Sequence, residues 1–216
     1  MSRRSGFLHV AVVSVAVATC LSSAGDAKAR GFLKDFQYVS VSGTLPGEWA
    51  GDFSDGREAT VALGKWFYFP YMEMELGYRS NSAASVSAAS GGRYRAKTAM
   101  VNFLGNPFIW EGEDARHIGG LPFFWGFGFG LADIQASGIS FPGQAPVSDR
   151  QLSPAVQAMA GVRFPTGKIG GRETFGTFQY RYFHLPGFDL TSGSGNSLGA
   201  DYASHGIRLG FMFLLR

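Results

Sequence analysis

Cysteine is all but missing from this chain. One thiol, Cys20, occurs in 216 residues, so no disulfide can form within the chain and no cysteine-based metal or redox centre can be assembled. Charge is scarce too: Asp, Glu, Lys and Arg make up 16%, against about a quarter in an ordinary soluble domain. The net charge of +3 is mostly local, because Arg3, Arg4, Lys28 and Asp26 contribute +2 within the first 29 residues and leave +1 for the rest. No basic patch interleaved with aromatics stands out, so nucleic acid is not an expected partner. Beyond the N-terminus no segment keeps a helical period, and none reaches the ~20 apolar residues of a membrane-spanning helix.

Glycine and aromatics are in excess instead, at 31 residues and 15%. They alternate from Phe123 to Leu131 (Phe-Phe-Trp-Gly-Phe-Gly-Phe-Gly-Leu). Because successive strand side chains point to opposite faces, Phe123, Trp125, Phe127, Phe129 and Leu131 share one face, while Gly126, Gly128 and Gly130 share the other. A soluble sheet would bury the aromatic face in its core. A transmembrane barrel would turn it to lipid and leave room inside at the glycines.

The N-terminus bears on that choice. Arg3 and Arg4 precede an apolar run from Phe7 to Leu21 that only His9, Ser14 and Thr19 interrupt, the pattern of a secretory signal. Small residues at Ala27 and Ala29 put cleavage after Ala29, with Ala24 the alternative. The expected organisation is a signal peptide over 1–29 and one domain over 30–216. Cys20 then belongs to the discarded leader; its other reading, lipid acylation, is disfavoured by Thr19 directly before it.

Eight strands are expected, at about 36–45, 59–68, 70–80, 93–105, 123–136, 154–165, 173–185 and 204–215. Their faces divide by character. Met72, Met74, Leu76 and Tyr78 oppose Glu73, Glu75, Gly77 and Arg79; Val156, Ala158, Ala160, Val162 and Phe164 oppose Gln157, Met159, Gly161 and Arg163. Phe178, Tyr180 and Tyr182 oppose Thr177, Gln179 and Arg181, and Ile207, Leu209, Phe211, Phe213 and Leu215 oppose Gly206, Arg208, Gly210, Met212 and Leu214. Aromatics gather near strand ends (Trp66, Tyr68, Phe69, Tyr71, Phe123, Tyr180, Tyr182), as interfacial girdles do. The linkers at 46–58, 81–92, 137–153 and 186–203 are long and rich in Gly, Ser, Asp and Pro, whereas those at Phe69-Pro70 and 166–172 are short. Long outer loops alternating with short periplasmic turns are a barrel trait. The linker at 106–122, with Pro107, Glu111, Glu113, Asp114 and Arg116, breaks the alternation and is expected to be a long periplasmic turn.

The chain ends Arg208-Leu209-Gly210-Phe211-Met212-Phe213-Leu214-Leu215-Arg216. Gly210, Phe213 and Leu215 resemble the C-terminal strand signal that outer-membrane barrels present to the assembly machinery, although a final Leu-Arg stands where an aromatic is commoner. Further segments in order along the chain carry the same likeness: Met74-Glu75-Leu76-Gly77-Tyr78-Arg79, Met100-Val101-Asn102, the Gly126–Gly130 alternation, Ala160-Gly161-Val162, Tyr180-Arg181-Tyr182 and Ser204–Gly210. Together they resemble the small porin-like outer-membrane family that includes the opacity proteins, the porin-like surface antigens and the OmpA barrel. The resemblance implies an eight-stranded antiparallel up-and-down transmembrane barrel without an enzymatic role, placed in the outer membrane of a Gram-negative bacterium. The peptidoglycan-binding domain that follows the barrel in OmpA is not seen after the eighth strand.

On that reading the interior collects Glu73, Glu75, Asn102, Gln157, Arg163, Gln179, Arg181 and Arg208. Eight strands enclose a lumen that side chains just fill, so these groups should pair with one another. Phe123, Trp125, Phe127, Phe129, Tyr180 and Tyr182 should face lipid, and the glycines opposite should make space for neighbours, notably Gln157 and Arg163. Expected partners are outer-membrane lipid, lipopolysaccharide and the barrel-assembly machinery, with function in four surface loops whose ligand the sequence does not name. The alternatives are a narrow pore and a lipid A acylhydrolase. For the latter His184 is the best candidate base, but Pro186 stands where the nucleophilic serine would be, and Ser204 and His205, being adjacent, fall on opposite faces. Glu73 and Glu75, about 7 Å apart on one face, have a spacing common to any E-x-E strand. The Gly126–Gly130 run lacks the turn and helix of a dinucleotide loop, Gly167-Lys168 is followed by Ile169 where a phosphate loop needs Ser or Thr, and His117 with Glu113 and Asp114 reads as a solvated acidic turn. No catalytic, cofactor-binding or metal-binding residue is expected.

Overall fold

A period of two in hydrophobicity demands strands, and strands are what form. The computed structural model describes residues 35–44, 57–66, 71–82, 92–105, 117–118, 121–139, 146–191 and 197–215. Their regular elements are β1 (Tyr38–Thr44), β2 (Arg57–Trp66), β3 (Tyr71–Ser82), β4 (Arg93–Gly105), β5 (His117–Ile118), β6 (Leu121–Ile139), β7 (Val147–Ile169), β8 (Arg172–Thr191) and β9 (Ser197–Leu214). The expected leader and Cys20 lie outside the described residues, as do the turn at Phe69-Pro70, most of the 106–122 linker and the tips of the outer loops.

All pairings are antiparallel between sequence neighbours, save that β4 pairs with β6 and β1 closes on β9. Eight strands thus form a closed barrel. β5 is an appendage: His117 and Ile118 pair with Pro122 and Leu121 at the start of β6. The register fixes the barrel's dimensions. Following paired residues from Phe213 through Val39, Leu63, Met74, Val101, Phe129, Val156 and His184 returns to β9 at Ala203, ten residues from the start. With ordinary strand spacings a stagger of this size tilts the strands by about 40° and gives a radius of about 8 Å, an interior that side chains can fill.

The strands are uneven. β1 to β4 run 7 to 13 residues, whereas β6 to β9 run 18 to 23. The linkers expected at 137–153 and 186–203 are therefore mostly strand, which corrects the sequence reading. The cause is visible at two prolines. Pairing between β7 and β8 stops at Val156 and His184, just short of Pro154 and Pro186, which have no N–H to give a ladder. Yet β7 stays paired with β6 up to Val147, and β8 with β9 up to Thr191. The prolines end the β7–β8 seam without ending the strands, so above it β8–β9 rises as one arm and β6–β7 as another, the latter still joined to β4 as far as Arg93 and Ser137. Opposite them, at the end where β1 begins and β9 finishes, Gly170 and Gly171 (φ 59° and 79°) form the two-residue turn from β7 to β8. Two consecutive positive φ values match the right-handed strand twist in a tight hairpin and suit glycine.

Candidate functional site

Side-chain parity separates two surfaces. Outside lies an apolar band of exposed side chains: Met74, Leu76 and Tyr78 on β3, Trp125, Phe127, Phe129 and Leu131 on β6, Leu152, Val156 and Phe164 on β7, Phe178, Tyr180 and Tyr182 on β8, and Phe211 on β9. Leu76 is 68% exposed and Phe129 53%. Phe103 stacks on Phe127 and Phe129 across the β4–β6 pair. Phe123 and Phe213 are half-buried in the same band. Two residues of this face depart from it, since Val39 and Val41 on β1 are buried.

Inside, the lumen is built in three layers. At the end carrying the start of β1, Leu104, Phe124 and Met159 cluster with Tyr71 against them, and the Arg163 guanidinium lies 4.7 Å above the Phe124 ring and 5.5 Å from that of Tyr71. At the opposite end Tyr94, Ile134, Ile139, Phe183, Leu185 and Tyr202 pack with alanines of β4, β6 and β7 into a second apolar cluster. Tyr94 and Tyr202 stack at 4.7 Å, and Phe183 meets Tyr202 edge-on. Asn81 Nδ2 donates to the Tyr202 hydroxyl at 2.5 Å.

The charges sit between these layers. Arg181 Nη1 donates to both Glu75 oxygens at 2.6 Å and to Gln157 Oε1 at 3.0 Å. Gln157 Nε2 donates to Asn102 Oδ1 at 2.6 Å, and Asn102 Nδ2 to Glu75 Oε2 at 3.3 Å. This quartet joins four of the residues assigned to the interior from sequence. The other four lie apart. Glu73 accepts from the Tyr38 hydroxyl at 2.8 Å; Arg163 stacks in the lower cluster; Gln179 borders a cavity of about 30 Å³ with Ser40, Thr60, Glu73, Glu75 and Arg181, room for a water or two. Arg208, 1% exposed, pairs with Glu58, which also holds Arg79 at 2.7 Å. Arg79 further donates to Ser204 Oγ at 3.3 Å and lies 3.5 Å over the Phe183 ring.

Glu58, Arg79 and Tyr38 complete this network; the sequence reading puts Arg79 on the same strand face as Glu73 and Glu75 without naming it among the interior groups, and does not find Glu58 or Tyr38. Glu58 falls in the linker expected at 46–58, and its inward parity with Thr60 and Ala62 is the signal that places it in the lumen. The upper apolar cluster was equally hidden, although Ile134 and Ala132 continue the parity of Gly126, Gly128 and Gly130.

Those glycines are matched to their neighbours. A Cβ on Gly128 would overlap Asn102 Oδ1 and come within 3.1 Å of Gln157 Cγ, and one on Gly126 would press on Phe103 O and Leu104. Gln157 occupies the space as expected; Arg163 turns instead to Phe124, below it. In β9, Gly210 faces Val41 O, Ser42 and Thr177 so closely that a Cβ would come within 2.7 Å, whereas Phe213 and Leu215 are half-buried.

Two histidines stand on the outer face near the arms. His184 stacks on Tyr182 and His205 lies against Tyr180. Beyond the apolar band, on the β6–β7 arm, Arg150 grips Asp133 with two bonds of 2.8 Å, and that hydrogen bonding holds the Asp133 carboxyl below the usual carboxylate range.

Fold and surfaces together define a closed, eight-stranded antiparallel β-barrel with an apolar outer band and a charged layer held between two apolar clusters within. No protein-family model matches the chain, and no curated protein matches it. Among solved structures the chain is similar to the crystal structure of Neisserial surface protein A, at 12% identity and a TM-score of 0.45, over 82% of this chain and 95% of that one.

Proposed function

We propose that the chain is an outer-membrane barrel of a Gram-negative bacterium, a closed scaffold that carries surface loops for envelope integrity or contact. The inverted distribution of polarity carries this reading: buried Glu75, Arg79, Arg181 and Arg208 fill the inside while Leu76, Phe127 and Phe129 are bare outside. Water would reject that outer face, and a bilayer's hydrocarbon would accept it. Both termini of the barrel then lie on the periplasmic side, and the two arms rise from the cell surface. Heat-modifiable migration of the membrane fraction on gels tests the reading. A shift on boiling supports it; a mature chain that stays soluble without detergent and migrates unchanged overturns it.

The apolar clusters above and below the charges favour a plug over a pore, and planar-bilayer recordings should show no discrete conductance steps. For the acylhydrolase alternative the geometry offers little. Ser204 points inward to Arg79 while His184 and His205 face outward, so no hydroxyl meets an imidazole base among these three. Lipid A mass spectra from cells with and without the protein should be identical.

A further inference from the structure

One sector of the outer rim is strongly basic. On β4, Arg93, Arg95 and Lys97 take alternate outward positions directly above the apolar band, all at least partly exposed. The register extends the cluster sideways: Arg57 on β2 pairs with Ser80, Ser80 with Arg95, Arg95 with Gln135, and Gln135 with Arg150. Among the described residues the outward carboxylate of this sector is Asp133, and Arg150 already occupies it. Arg57, Arg93 and Arg95 have no ion-pair partner among the described residues, and Lys97, opposite Asp133 in the register, shares that carboxylate's field with Arg150. Across the barrel, the described outward positions at the same height on β8 and β9 hold His184, Ala203 and His205 and no Lys or Arg.

Four cations that share a single outward carboxylate with Arg150 among the described residues would repel one another, and this chain is otherwise sparing with charge. Their position supplies a reason. Directly below them run Tyr78, Leu76 and Met74 on β3 and Leu131, Phe129 and Phe127 on β6, all exposed. An anion held at the cations would have its attached hydrocarbon laid along this apolar face. Arg93 and Lys97 are four residues apart on one strand, about 13 Å, so the row can serve more than one phosphate group, with arginines suited to bidentate contact.

We infer that the rim formed by Arg57, Arg93, Arg95 and Lys97 is a binding site for a phosphorylated, multiply acylated lipid of the outer leaflet. The site rests on the outer-membrane reading, and the cations make one flank of the barrel lipid-selective. The test uses the full chain folded in zwitterionic detergent, with heat-dependent gel migration confirming the fold. Lipopolysaccharide, and the same lipid after dephosphorylation, are titrated in and bound lipid is counted by native mass spectrometry. The wild type should bind the phosphorylated form at least about tenfold more tightly, and the fourfold glutamine variant should lose that preference. Arg95→Gln or Lys97→Gln alone should weaken binding about threefold, which keeps the test decisive should the fourfold variant fold poorly. Lys168→Gln with Arg172→Gln, at the opposite end, should bind as wild type. Equal binding of both lipid forms, or undiminished binding by the rim variants, overturns the site while leaving the barrel standing. A chain that shows no heat-dependent shift overturns the barrel and the site with it.

Discussion

Arg181 and Glu75 meet at 2.6 Å in the middle of the lumen, and their side chains are only 4% and 2% exposed. They come from β8 and β3, so the pair spans the interior and ties opposite walls of the barrel together. Removing one partner leaves the other charged and buried. Arg181→Ala or Glu75→Ala should each cost about 3–5 kcal/mol, while Arg181→Met combined with Glu75→Leu should recover much of that loss. Urea titration of the protein folded into lipid vesicles, read by the heat-modifiable band, gives the three values and their coupling. If the two single variants unfold at the wild-type urea concentration, the pair is not a structural tie.

Gly128 is sized to the quartet beside it. A methyl group there would overlap Asn102 Oδ1, so Gly128→Ala should destabilise the barrel by about 1–3 kcal/mol. Shortening the neighbour should relieve the clash, and Gly128→Ala with Asn102→Ser should be more stable than Gly128→Ala alone. Additive losses in the double variant would show that the alanine acts through the backbone instead.

At the tight turn the two glycines carry φ values of 59° and 79°. Gly170→Val should cost about 1–2 kcal/mol because a β-branched residue resists the left-handed region, whereas Gly170→Asn should be nearly neutral. Refolding yield into vesicles and urea midpoints for the two variants decide the point; equal effects would mean that side-chain loss, not backbone conformation, matters there.

The readability of the chain divides along the same physical lines. Parity is legible on the five strands whose faces divide by character, because a strand's period is two and the Phe123–Leu131 alternation segregates aromatics from glycine. Strand ends are not. Pro154 and Pro186 look like terminators, yet partners β6 and β9 carry β7 and β8 past them, without a break at Pro154 and through an irregularity between Leu185 and Phe188 at Pro186. Glu58 is hidden for a related reason: it is the second residue of a strand whose start is set by pairing of Arg57 with Ser80 and Glu58 with Arg79 on β3, a long-range fact that local composition does not hold. Which inward charges meet also depends on register around the closed barrel, so the set of interior groups could be read but not that Glu75, Asn102, Gln157 and Arg181 converge while Arg208 goes to Glu58.

The outer face permits a direct trial of its solvent. Phe127 lies mid-band on β6, 52% exposed, between Trp125 and Phe129 on the same face. If that face meets hydrocarbon, Phe127→Arg places a cation near the bilayer midplane and should cost about 2–4 kcal/mol of folding stability in vesicles, while the same change at Gln135, on the same strand above the band, should cost about 0–1 kcal/mol. A water-facing strand would respond to both changes alike, and Phe127→Arg would then raise solubility without lowering the urea midpoint. The contrast between these two positions, measured in one lipid and one urea series, separates a membrane barrel from a soluble one of the same shape.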